Sequence, residues 1–565
     1  MVREMDKHRY RSTALVLLTV ILLTLFCSAP VRGVEDPVPM VRVGLYWGKT
    51  ALEAANLQNA VGSGFSFGYF DEDRSFVPLG STQETAITMI KDWNMYLVGG
   101  KYQTDAVSGA EVVGCYHVRL AETYPDFPSA KAAADAYEDG FPAYHEDAWY
   151  VCVGSYTGQS AGAAAAESRG LNGTSMTCSN RCVTVVATGT VHILFQFDCG
   201  ERRSLAVMPT AEEGEKATTW FKGYRYYGGF QYQRIDGKDM NVVNFLSMDD
   251  YIKGVIPYEM NAAWPLEALK AQAVAARTYT AAHLNHHNGS GFDLCCEVDC
   301  QTYRGVNASD ENSDRAVDET SGVYMTYEGE YVNAFYFSSD GGATEDCENV
   351  FNAPLPYLRG KPDPYEAYVQ TGRENWRFVY SADEITAILR MKNYRCAQIV
   401  SITPTYTSMG NIYSLKFTDA NGVNWVFSKD RAGSILYSSA YQKYTYSQRF
   451  TVTDADAPAD ENSFYVAGEE GINLLPDSLY VVAGDGSVTM VGGAANAAVL
   501  SAEGTENVSL RGYTSGTITA SSYLIKGSGW GHNVGMSQYG ARAMAELGMT
   551  YVDILSFYYE GAEIG

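Results

Sequence analysis

From Pro265 to about Leu284 the chain offers its clearest helix. Pro265 suits the first helical position, where its missing N–H costs nothing. Leu266, Leu269, Ala273, Ala276 and Thr280 then recur at helical spacing on one face of mostly small residues. Much of the rest reads as strand and turn. Val41–Tyr46 alternates, Gly62–Phe70 is a glycine/aromatic β pattern, further strands run from about Cys182 to Phe245, and residues 322–337 predict a hairpin around Glu328-Gly329. The 54 glycines and 42 tyrosines agree with that reading. A chain of 565 residues, 46% hydrophobic and 19% charged, has material for several cores and suggests three or four domains. The expected class is α+β and multidomain.

A weak repeat lies in the first half. Tyr116–Leu120 followed by Ser129–Tyr137 is echoed by Trp149–Tyr156 followed by Ser160–Glu167. Each unit pairs a strand with an Ala-rich helix. Two units would close a small, independent βαββαβ sheet; two unrelated strand–helix pairs are the plainer alternative.

Charge and the N-terminus set the compartment. The net charge of −25 argues against a nucleic-acid binder that relies on a basic surface. Arg3, Lys7, Arg9 and Arg11 precede an apolar run from Ala14 to Phe26, with Ser28 and Ala29 following. This is the pattern of an export signal over residues 1–33, with a retained anchor as the alternative. The expectation is an extracytoplasmic protein, secreted or membrane-anchored. Eleven cysteines are few for such a chain. Cys178 and Cys182, with Cys199 beyond, could carry a local bridge, and Cys295, Cys296 and Cys300 form the one tight cluster.

Three segments carry polar residues where a simple core would not want them. In Tyr251–Met260, Glu259 follows an apolar, strand-like run at a junction with restricted solvent, where burial raises a carboxyl's pKa toward that of a general acid. Pairing with Lys270 or Arg277 as a structural brace is the alternative. Phe337-Ser-Ser-Asp-Gly-Gly-Ala-Thr-Glu places hydroxyls and glycines after a strand end, either a ligand-approaching loop or a plain turn. Gly527–Ala543 surrounds Trp530 and His532 with glycines before Met536 leads into a helix. That suits a sugar- or metal-binding loop as well as scaffold.

Tyr251–Tyr279, Phe335-Tyr-Phe-Ser-Ser, Gly341-Gly-Ala-Thr-Glu, Pro356-Tyr-Leu-Arg and Gly531-His-Asn-Val-Gly-Met-Ser-Gln-Tyr-Gly-Ala resemble, in order, the motifs of the SpoIID/LytB family. Residues 110–170 more weakly resemble a SPOR domain, a module that binds glycan stripped of peptide. The residue patterns give an export segment (1–33), a β-rich N-terminal region (34–109) and a β-rich connector (171–224), and the resemblances imply the SPOR-like module (110–170), a mixed α/β catalytic core (225–375), an insertion of unknown function (376–522) and the end of the core (523–565). The implied activity is a peptidoglycan lytic transglycosylase acting on denuded glycan, in sporulation or cell-wall remodelling. Its single acid/base is Glu259, and Arg277, Tyr279, Tyr336, Ser338 and His532 form the surrounding cleft.

Some members of the family bind zinc near this helix through cysteines and histidines. Cys295, Cys300 and His287 are the matching residues here, and Asp299 stands where those members carry a histidine. A structural zinc is thus expected, with no cofactor required for the chemistry. A disulfide Cys296–Cys300, or a bridge from the cluster to Cys347, is the alternative. The expected partners are peptide-stripped glycan strands and a cell-wall amidase. The other functional reading is a non-enzymatic wall-binding factor or amidase enhancer.

Overall fold

The computed structural model describes residues 40–351, 353–457 and 516–565, together with strand residues between 465 and 509. The export segment 1–33 and parts of the acidic and glycine-rich stretches at 453–462 and 484–505 lie outside the described residues. Among the described residues no helix is long and apolar enough to cross a membrane.

The fold is α+β, with several sheets and segregated helices. Seven strands order as 294–295, 41–46, 240–246, 229–234, 205–210, 64–70 and 76–82. Ten more order as 173–176, 116–124, 148–156, 140–145, 193–198, 183–187, 86–91, 54–61, 218–221 and 224–226. Phe67 of the first sheet stacks on Phe195 of the second, ring centroids 5.1 Å apart, so the two sheets share apolar contact.

Residues 116–176 follow the order strand, helix, strand, strand, helix, strand. Asp126 caps the first helix, Phe127–Ala134, by accepting from the Ser129 N–H. Both helices pack on Val118, Leu120, Val151 and Val153. The unit is not independent, contrary to the expectation from the repeat. Strand Gly140–His145 pairs in parallel with Ile193–Asp198, so the sheet runs on into the connector. The reason is burial: Phe141, Ala143 and Tyr144 cover that strand's faces, and an open edge there would expose them with unpaired backbone groups.

Strand Met240–Leu246, buried throughout, feeds the first helix of the core. The run that reads as strand-like is in fact the helix Met248–Glu259. Ser247 caps it, Asp249 and Asp250 occupy the positive N-terminal turn, and Pro257 falls in the last turn. The next helix is Leu266–Ala282, with Pro265 at its cap position rather than inside. It is buried on all sides, not one. Its alanines let helices Met248–Glu259, Glu311–Asp318, Gln538–Glu546 and Tyr551–Tyr558 all pack against it.

The expected hairpin shrinks to Met325–Tyr327 and Glu330–Tyr331. Tyr336 and Phe337 instead pair in parallel with Met536 and Ser537, across the insertion. The insertion has its own core around Tyr380, Ile388, Ile402, Phe417, Phe450 and Ile525. Strand Ser522–Gly527 lies between Trp376–Ser381 and Phe450–Asp454, so the inserted module extends to residue 527. Arg449 ties it to the core, donating to the carbonyls of Asp340 and Ala343.

Because strand 140–145 needs strand 193–198, a fragment ending before the connector should not fold. Residues 110–178 expressed alone are expected to show no cooperative thermal transition by circular dichroism. Extension to residue 200 should restore one.

Candidate active site

Glu259 is the last residue of its helix and lies on one side of a cleft of about 500 Å³. The Thr302 backbone N–H donates to its Oε1 (3.1 Å) and the Gln538 amide to its Oε2 (3.4 Å). Among the described residues it has no ion-pair partner. Lys270 is taken by Glu267 and Glu319, and Arg277 by Asp249. The structural-brace reading therefore does not hold. Desolvation pushes the Glu259 carboxyl above its ordinary value, and the hydrogen bonds from Thr302 and Gln538 only partly oppose it. Its place at the carbonyl end of a helix disfavours the anion further.

Tyr279, Tyr336, Ser338 and His532 line the same cleft, with Phe335, Phe337, Phe351 and Trp530. Tyr336 is fixed by its neighbours: its hydroxyl donates to Gln301 Oε1 (2.9 Å), and the Gln301 amide donates to Tyr251 and Thr280 hydroxyls. His532 sits against Phe335, Phe337 and Phe351, with centroids 6.2, 5.3 and 5.3 Å away. Desolvation lowers its pKa to about 4, so the ring is neutral at neutral pH. Its Nδ1 accepts from the Val534 N–H (3.1 Å), which leaves the proton on Nε2. The remaining N–H is engaged by the Tyr336 backbone carbonyl, so the ring is a poor acid and acts as a fixed wall of the cleft. Trp530, 48% exposed, forms a rim with Tyr446 and Arg373, whose guanidinium stands 4.9 Å from the indole.

The hydroxyl-rich loop after Phe337 serves mainly as support. Ser339 and Ser537 both donate to the buried Glu366, as do the N–H groups of Asp340 and Gly341. Gly341 has φ 66°, and a Cβ there would come within 2.7 Å of the Gly529 backbone nitrogen. The two glycine-rich loops thus lie backbone to backbone, with Ser339 and Trp530 exchanging hydrogen bonds of 3.0 and 2.7 Å.

Arg277 is not in the cleft. It is fully buried beneath the helices, donating to Asp249, Thr320, Val317 and Val323. A cation in that position braces the fold and cannot reach a substrate. Thr302, Gln538, Phe351 and Trp530, in contrast, belong to the site. Gln538 and Trp530 stand inside the motif that carries His532, while no local pattern marks Thr302 or Phe351.

The loop that supplies Thr302 also carries the expected metal residues. Donor atoms of His287, Cys295, Asp299 and Cys300 all lie within 4.8 Å of one another, with His287 Nε2 3.3 Å from Cys300 Sγ. A hydrogen bond with Cys300 is the main cause that brings the Cys295 thiol down to about 6. Two sulfurs, an imidazole and a carboxylate fit a tetrahedral zinc, and Asp299 completes the set. Cys296 points away toward the Leu45 carbonyl, and Cys347 lies in the helix Cys347–Val350. All ten cysteines of the described residues are free thiols, so neither disulfide alternative is present.

Two stability outcomes follow from these contacts. Arg277→Ala should destabilise the protein by about 3 kcal/mol or more, because it strands buried carbonyls and a partly buried carboxylate. Chemical denaturation measures this. For Glu259 the folded pKa is raised, so the native state binds the proton more tightly and loses stability as pH climbs through the folded pKa. Glu259→Gln should therefore melt above wild type at neutral pH, with the gap closing in acid below the ordinary carboxyl range.

Residues 236–327, which include Glu259 and the cysteine loop, match the family model described as SpoIID, Stage II sporulation protein. The chain is 29% identical over 315 residues to the amidase enhancer of Bacillus subtilis (strain 168), covering 55% of this chain and 40% of that relative. It is 25% identical over 337 residues to the Stage II sporulation protein D of Bacillus amyloliquefaciens, covering 57% of this chain and 75% of the relative. An uncharacterized protein of Brachyspira hyodysenteriae is 28% identical over 345 residues, 60% of this chain and 73% of its own. The matched stretch thus spans less than half of the amidase enhancer. The model match thus lies on the acid-bearing helix, the helix after it and the cysteine loop, and this segment of the chain is of the SpoIID type.

Proposed function

We propose that the protein is an exported lytic transglycosylase that cuts peptide-free peptidoglycan glycan between N-acetylmuramic acid and N-acetylglucosamine. The observation that carries this reading is a partly buried Glu259, without an ion-pair partner among the described residues, in a cleft walled by aromatic rings. Protonated Glu259 donates to the glycosidic oxygen as the bond to C1 breaks. The resulting carboxylate takes the proton of the muramic C6 hydroxyl while O6 bonds to C1, closing a 1,6-anhydro ring and restoring the acid. Oε1 is engaged by the backbone N–H of Thr302, while Oε2 has only the longer contact to Gln538 and is the oxygen that carries the proton. Phe335, Phe337, Phe351 and the neutral His532 ring exclude water, and Trp530 offers a face for a sugar ring.

The cleft's other carboxylate, Asp299, sits with His287, Cys295 and Cys300. We assign these four residues to a structural zinc. When bound, the ion would supply rigidity to the loop 295–302. The loop itself delivers the Thr302 N–H to Glu259. We extend the proposal to residues 116–176 as a glycan-holding surface, with Tyr116, Tyr124 and Tyr156 partly exposed and Tyr144 and Trp149 buried in the core. The protein would act outside the cytoplasm, beside a cell-wall amidase.

A second reading is favoured by the similarity to an amidase enhancer: a wall-binding factor that stimulates an amidase without cutting glycan. The decisive assay incubates purified protein with denuded glycan and follows released anhydro-sugars. Glu259→Gln should lower release by roughly 100- to 10,000-fold with binding retained. Release should also fall on the alkaline side, as pH rises through the elevated Glu259 pKa and the acid is lost. Binding without release by wild type, together with stimulation of an amidase, would establish the second reading.

A further inference from the structure

The ten-stranded sheet holds a second cluster of soft donors, remote in sequence from the cleft. Asp92 follows strand Ala86–Lys91, and Cys178 and Cys182 flank the turn before strand Val183–Ala187. Their donor atoms lie within 4.8 Å of one another. His117, on strand Tyr116–Tyr124, brings Nε2 to 3.9 Å from Asp92 Oδ1, and these two side chains are 2% and 4% exposed.

The hydrogen bonds sort the two neighbouring histidines into different roles. His117 Nδ1 is 2.8 Å from the Gly154 carbonyl, which only accepts, so Nδ1 carries the proton. Against the effect of burial, the Asp92 carboxylate that Nε2 faces raises the pKa of the ring, yet that buried atom makes no hydrogen bond at 3.9 Å. A bare lone pair there would be repelled by the carboxylate, so the gap between them takes either a proton or a cation. His145 does the opposite. The Gln196 amide donates to Thr184 (3.0 Å), which leaves its Oε1 to accept from His145 Nε2 at 3.1 Å. That same Nε2 lies 3.5 Å from Cys178 Sγ, as a donor to sulfur rather than a competing ligand. The Cys178 N–H donates to Asp92 Oδ2 (3.3 Å) and orients the carboxylate. Arg234, the nearby guanidinium, donates to the carbonyls of Cys182, Gly237 and Lys238.

The position explains what such a cation would do. In the sheet order, strand 116–124 stands five steps from strand 86–91, about 24 Å along the sheet at ~4.8 Å per step. His117 and Asp92 nevertheless meet. The sheet must curl over the core of Met95, Tyr102, Val113, Phe141 and Ile193, and the cluster sits where the two far strands close.

We propose that Asp92, Cys178 and Cys182, with His117 set against Asp92, form a second, structural site for a zinc-class divalent cation that pins the curl of the sheet. Two thiolates and one carboxylate suit zinc and disfavour magnesium or calcium. Binding releases the two thiol protons to solvent.

The test titrates the full chain, reduced and stripped by chelator, with zinc chloride and counts bound zinc by elemental analysis. Cys178→Ser combined with Cys182→Ser should bind one zinc fewer than wild type. Cys295→Ser combined with Cys300→Ser should leave this site filled. His145→Gln should weaken the site by roughly 10- to 100-fold without changing the count. In wild type, zinc should protect the peptides bearing Cys178 and Cys182 from alkylation, which decides the matter even if the serine variant fails to fold. Equal zinc content in the Cys178/Cys182 variant, alkylation indifferent to zinc, or a Cys178–Cys182 disulfide in the protein as isolated would overturn the proposal.

Discussion

Two rungs of parallel pairing, Tyr336 with Met536 and Phe337 with Ser537, join segments about 200 residues apart and make the site possible. They place Gln538 on Glu259 and His532 between the phenylalanines. They also let Ser339 and Ser537 share Glu366. The inserted module can be large because both of its ends return to this seam. Arg449 and the Tyr446–Trp530 contact then hold the module against the loop that carries Trp530 at the cleft rim.

The energetics of the site centre on one carboxyl kept away from cations. Every basic side chain packed near the helices is already paired: Lys270 with two glutamates, Arg277 with Asp249 and three neutral acceptors. A bidentate arginine would have held Glu259 ionised and useless as an acid. Weakly opposing hydrogen bonds from Thr302 and Gln538 leave desolvation as the dominant influence, and the largely buried helix Leu266–Ala282 supplies the rigid packing that bears the cost.

Much of this was legible in the sequence because it was local. The strand–helix repeat, the helix after Pro265 and the glycine loop around His532 each announce themselves through spacing and composition. Glu259, Tyr279, Tyr336, Ser338 and His532 could be named because they stand in ordered motifs, and they line one cleft. Arg277 shares the same motif but not the same fate. On a helix buried all round, its direction depends on Asp249 in the preceding helix, which spacing does not reveal. Val255, Ile256 and Pro257 make the run before Glu259 look like strand, although the Ser247 cap with two aspartates behind it was the better signal. Thr302 and Phe351 reach the cleft only through long-range pairing. The continuation of the βαββαβ sheet into strand 193–198 is non-local in the same way.

In the proposed reaction a single, partly buried glutamic acid breaks the glycan without water. The most direct measurement digests denuded glycan in water enriched in oxygen-18 and weighs the product ends by mass spectrometry. An intramolecular closure gives 1,6-anhydro ends that carry no label and are lighter than hydrolysed ends by one water. Reducing ends bearing one labelled oxygen would mean hydrolysis, with Asp299 or another group activating water, and would contradict the single-carboxyl mechanism.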